Sequence, residues 1–125
     1  MKAKNRNKFV KGSVGGFDAS KGWFLGQFMD KYGREDLQTE EVEVCWKVLK
    51  KGYRDPLHYH KKGTEIAIVV SGWFEARVEG EAVRVEKKDF LVVYPEAKLE
   101  VVDFEVRTEV VVVKAPSVVD DKFGV

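Results

Sequence analysis

Between Glu41 and Lys114 the sequence is a succession of short β-branched and aromatic stretches, each closed by a turn signal, and nowhere in that span does a helical period persist. Val42, Val44, Trp46 and Val48 alternate with Glu41, Glu43, Cys45 and Lys47, the pattern of a strand with one apolar face. Lys50-Lys51-Gly52 ends it, and Pro56 keeps the next segment extended. Strand patterns follow at Glu65 to Val70, at Trp73 to Val78 (Phe74, Ala76 and Val78 opposite Glu75, Arg77 and Glu79), at Val83 to Val85, at Phe90 to Tyr94, at Glu100 to Thr108 and at Glu109 to Lys114. About eight short antiparallel strands without a long helix predict an all-β sandwich or barrel.

Before residue 40 the character differs. Gly12, Gly15, Gly16, Gly22, Gly26 and Gly33 punctuate short apolar patches, notably Trp23-Phe24-Leu25 and Phe28-Met29. Residues 1–40 therefore read as an N-terminal arm of short strands, too apolar for a free tail, lying on a barrel of residues 41–125 or on a second subunit. Ile66 to Val70 and Val110 to Val113 are apolar on both faces, which a simple two-sheet sandwich does not require. Their outer faces need a cover, and the arm and a homodimer partner are the candidates. Pro116 and Ser117 are placed to open one helical turn.

Twenty-two basic residues face twenty-one acidic ones, and a net charge of +1 supplies no field that would gather nucleic acid or an anionic membrane. Lys2, Lys4, Arg6, Lys8 and Lys11 form a local basic cluster of the kind found at solvated termini. Cys45 is alone, so no intrachain disulfide forms; no signal peptide is visible, and the apolar runs are far too short to span a bilayer as helices. The expectation is a cytoplasmic, soluble chain. Scarce Asn and Gln with abundant, intermixed Lys and Glu resemble heat-adapted composition.

The chemistry-bearing cluster is compact. The two histidines of the chain, His58 and His60, stand two apart, so in an extended segment both imidazoles point to one side. Lys61-Lys62-Gly63-Thr64 is short enough to return the next strand beside the first and bring the Glu65 carboxylate to them. Two imidazoles and a carboxylate are a ligand set for a divalent first-row metal. The alternative is a surface His-X-His beside two lysines.

Gly52, His58, His60, Glu65 and Gly72 match at every position the first motif of the cupin superfamily, G(X)5HXH(X)3,4E(X)6G. The resemblance runs from about Glu41 to Ala115. It implies a double-stranded β-helix, or jelly-roll, barrel, with His58, His60 and Glu65 as ligands of an iron, manganese, nickel or zinc ion. The second cupin motif, G(X)5PXG(X)2H(X)3N, is degraded: anchored on Pro95, it puts Asp89 and Ala97 at its glycines and Glu100 at its histidine. Glu100 shares parity with Val102, Phe104 and Val106, so it is expected to point inward, as a fourth ligand, as a hydrogen-bond partner of a ligand, or as a strand-end residue reaching solvent.

The resemblance implies a metal-dependent enzyme acting on a small polar metabolite, with Glu65 or Glu100 available for proton transfer. The competing reading is a non-catalytic barrel holding a sugar-like ligand, since function resides in the site and not in the fold. Tyr53, Tyr59, Tyr94, Trp46 and Trp73 are candidates to line a cavity, and Cys45 lacks a neighbouring base in sequence.

Overall fold

The computed structural model describes residues 8–125; Lys2, Lys4 and Arg6 of the basic cluster lie outside the described residues. Among the described residues ten strands occur in the order β1 (Trp23–Leu25), β2 (Glu43–Leu49), β3 (Asp55–Tyr59), β4 (Thr64–Ser71), β5 (Trp73–Val78), β6 (Glu81–Glu86), β7 (Phe90–Val93), β8 (Leu99–Phe104), β9 (Thr108–Ala115) and β10 (Phe123–Gly124). They form two five-stranded antiparallel sheets, ordered β1-β2-β9-β4-β7 and β10-β3-β8-β5-β6. The sheets face each other without closing into one hydrogen-bonded ring, so the barrel is an open jelly roll.

Side chains from both inner faces make the core: Leu49, Ala67, Val69, Phe74, Ala76, Val85, Val93, Leu99, Val110 and Val112 are buried there. Thr108 pins one end. Its side-chain oxygen accepts from Trp73 N at 3.1 Å and lies 2.6 Å from the Glu105 carbonyl oxygen, to which its hydroxyl donates. Gly72, between β4 and β5, has φ 82°, and a Cβ there would run into Thr108. Gly52, which turns the chain out of β2, has φ 92°. Both bounding glycines of the sequence motif thus sit where an L side chain is strained.

β2 departs from the sequence expectation in its facing. Glu43, Cys45 and Leu49 are the buried members, whereas Val44, Trp46 and Val48 take the other side. The arm approaches that side: Val14, Gly15, Asp18, Lys21 and Gly22 line one surface pocket with Trp46 and Val48, and Gly22 O accepts from Trp46 N at 3.0 Å. β1 then adds to the edge of β2. Pro116-Ser117 forms no helical turn; Ser117 instead donates to Glu43 Oε2 at 2.9 Å and accepts from Gln27 N at 3.0 Å, tying the C-terminal segment to β2 and to the arm. The outer faces of β4, β7 and β9 carry Ile66, Ile68, Phe90, Val92, Val111 and Val113 in cross-strand register, with Phe90 71% exposed.

Candidate metal centre

β3 carries His58, the residue directly after its end is His60, and β4 carries Glu65. An irregularity in the β3–β8 register lies between Asp55, opposite Val101, and His58, opposite Leu99. His58 and His60 are both buried, with ring centroids 5.2 Å apart and planes nearly perpendicular. Glu65 belongs to the inward set of β4 with Ala67 and Val69. Ligand-capable atoms of His58, His60 and Glu65 all lie within 4.8 Å of one another.

Hydrogen bonding leaves acceptor atoms free. His58 Nδ1 lies 2.8 Å from Pro56 O, which can only accept, so this nitrogen carries the proton and Nε2 keeps its lone pair. His60 Nε2 and Glu65 Oε1 are buried and have no hydrogen-bond partner among the described residues. Orphaned buried acceptors are costly, and a cation shared among them satisfies both atoms at once; the residues fit a divalent ion. Burial pushes the His60 imidazole down to about 4, assisted by the charge of Lys114 and by His58, so at neutral pH it is the uncharged form that a metal requires.

The loop between His60 and β4 is held from the C-terminal segment. Asp121 Oδ1 accepts from Lys61 N and Lys62 N at 3.0 and 3.1 Å, and Oδ2 accepts from Gly63 N at 2.8 Å. Burial raises this carboxyl, but the three amide donors hold it below the ordinary range. The bonds fix the short return that sets Glu65 against His60, whose Nδ1 lies 3.6 Å from Glu65 Oε1.

Around the cluster the interior is charged. Glu43 and Lys114 form a pair at 3.9 Å, and Asp55 meets Lys122 at 3.1 Å and His58 Nδ1 at 3.5 Å. A cavity of about 40 Å³ is lined by Lys47, Tyr53, Asp55 and Glu65 with apolar residues including Phe74 and Leu99. His60 instead borders a groove of about 410 Å³ between the arm and the C-terminal segment, walled by Trp23, Phe28, Tyr32, Lys114 and Lys122. The cluster thus stands where inner cavity and outer groove meet.

Glu100 is not part of it. On β8, Leu99 and Val101 face inward, opposite Val78 and Ala76, and Glu100 lies across from the exposed Arg77. The expected parity fails because an extra residue intervenes between Val101 and Asp103 relative to Ala76 and Glu75, and this bulge switches faces along the strand. Phe104 is inward and Glu100 is not, although they share parity in sequence. Cys45 is buried, its thiol pushed up to about 11 by burial, which leaves it protonated and unreactive. Sequence reasoning passed over Lys47, Asp55, Lys114 and Asp121. Glu43 and Lys47, which share a parity on β2 with the buried Cys45 and Leu49, were the signal for an inward row that carries charge, read as the polar face.

Solved structures with similar architecture include KdgF from Halomonas sp. (26% identity over 66% of this chain and 74% of that one, TM-score 0.60), the nucleoside dehydratase Pac13 of Streptomyces (21%, 70% and 70%, 0.60), and the cupin protein BF4112 from Bacteroides fragilis (19%, 92% and 87%, 0.62). No protein-family model and no curated protein sequence matches the chain.

Proposed function

Taking the chain as a cupin-superfamily double-stranded β-helix, we propose that it is a metal-dependent enzyme acting on a small polar metabolite, with His58, His60 and Glu65 holding one divalent first-row ion. The observation that carries this reading is the convergence of three ligand groups within 4.8 Å, two of them with buried atoms otherwise lacking a partner. The bound ion would supply Lewis acidity toward a substrate oxygen. The chain's own residues do the remainder. Pro56 O orients His58, Asp121 fixes the His60–Glu65 loop, and the apolar wall of Phe74, Leu99 and Val101 limits water in the cavity. Asp55, beside Tyr53 on the cavity wall, is a carboxylate within the site and replaces Glu100 as the candidate for proton transfer together with Glu65. The similarity to a nucleoside dehydratase supports an enzyme. The test is metal content after purification and reconstitution with iron, manganese, nickel and zinc in turn: near one equivalent per chain is expected, and less than about a tenth of an equivalent with every ion defeats the reading.

The second reading, a non-catalytic barrel for a sugar-like ligand, draws on the aromatic walls that Trp23, Phe28 and Tyr32 give the outer groove. Turnover of any metabolite that vanishes in His58→Ala excludes it. We further propose that the outer faces of β4, β7 and β9 pair two copies of the chain, because their cross-strand apolar ladder lies in the open. Light scattering is expected to give a dimer that Phe90→Glu converts to monomer; a monomeric wild type contradicts it.

A further inference from the structure

Four acidic side chains (Glu43, Asp55, Glu65 and Asp121) and three basic ones (Lys47, Lys114 and Lys122) surround the cluster, and Asp121 is engaged by three loop amides. Glu43 is met by Lys114 and by the Ser117 hydroxyl, and Asp55 is met by Lys122. Glu65 and Lys47 remain. Glu65 is one of the three converging ligands. Lys47 is held on the inward row of β2 with its ammonium 5.4 Å from the centre of the Tyr53 ring and 6.0 Å from that of Trp23, and it has no carboxylate partner among the described residues. Two aromatic faces position a cation while leaving its donors free, because a ring attracts the charge without accepting all its hydrogen bonds.

Lys47 also lines the same small cavity as Glu65. With a divalent ion on His58, His60 and Glu65, the four carboxylates and three ammonium groups sum to one negative charge, so the ion leaves one positive charge in excess beside a small cavity walled largely by apolar residues. Such a cavity favours an anion, since Coulomb attraction grows as the effective dielectric falls. The cavity's roughly 40 Å³ takes a few water molecules, hence the acid end of a ligand and not a whole sugar ring.

We infer that the inner cavity is a carboxylate-binding pocket, in which Lys47 pairs with the acid group of a small organic acid whose neighbouring oxygen reaches the His58–His60–Glu65 ion. Lys47 is thereby the specificity-determining residue, selecting acids over their neutral amides and esters. This rests on the metal reading for its charge excess, and the experiment separates the two.

Metal-loaded wild type, Lys47→Met and Lys47→Arg are titrated calorimetrically with pyruvate and with pyruvamide, which keeps the shape and removes the charge, and metal content is measured on the same samples. Met preserves chain length and apolar packing against Tyr53 and Trp23, and Arg preserves the charge. Expected are full metal occupancy in all three proteins, pyruvate binding weakened about tenfold or more in Lys47→Met and largely kept in Lys47→Arg, and weak pyruvamide binding that the variants do not change. Pyruvate bound equally by wild type and Lys47→Met overturns the inference while leaving the metal site standing, as does pyruvamide bound as tightly as pyruvate. If no sample holds metal, the metal reading falls, and the same wild-type against Lys47→Met comparison decides the carboxylate pocket on the metal-free protein.

Discussion

His60 ties the stability of the metal-free protein to pH. Its side chain is 6% exposed, and its folded-state value of about 4 lies below the ordinary 6.5. Between these values the unfolded chain binds a proton that the folded chain excludes, so stability rises with pH; the contribution is complete above about 6.5 and is lost as pH falls toward 4. At 1.36 kcal/mol per unit, the shift corresponds to about 3 kcal/mol, a large part of the 5–15 kcal/mol that holds a typical domain together. His60→Gln removes the titration while keeping a neutral, similarly sized side chain. Urea unfolding of chelator-treated wild type and variant at half-unit intervals from pH 4 to 7.5 isolates the term, because Glu43, whose buried carboxyl is raised and loses stability in the opposite direction as pH increases, contributes equally to both proteins. The wild-type minus variant difference is expected to grow by about 3 kcal/mol across the range. Parallel curves would refute the reasoning, since they would mean that His60 titrates alike in folded and unfolded chains.

Other substitutions separate the loop, the core and the metal cluster. Asp121→Ala removes the acceptor of three loop amides and is expected to weaken metal affinity about tenfold or more, read by competition with a chromophoric chelator. Thr108→Val leaves Trp73 N without its acceptor and is expected to cost about 1–3 kcal/mol by urea unfolding, with metal content unchanged. Glu100→Gln, opposite Arg77 and outside the cluster, is expected to alter neither metal content nor affinity.

The strand succession and the central cluster were legible in the sequence because both rest on local rules. His58 and His60 share a side through the two-residue period of an extended chain, and the short Lys61–Thr64 return fixes where Glu65 can go. Two features were not legible, and each has a non-local cause. Glu100 was misassigned because a bulge is a property of two paired strands, invisible along either alone. The facing of β2 was obscured because the arm borders Trp46 and Val48, which makes an outer face as apolar as an inner one, while Glu43 and Lys47 find their reason only beside Lys114 of β9 and Tyr53 of the β2–β3 connection. Gly52 and Gly72 mark positive-φ turns, and in that case sequence and backbone carry the same information.

One ion on His58, His60 and Glu65 is the premise of the proposed function. A crystal structure of reconstituted protein, with anomalous scattering collected on both sides of the metal's absorption edge, tests it most directly. A single strong anomalous peak is expected, bonded to His58 Nε2, to a ring nitrogen of His60 and to a Glu65 carboxylate oxygen, with Glu100 remote from it. A peak elsewhere, one that recruits Glu100, or none in protein carrying a full equivalent of metal would contradict it.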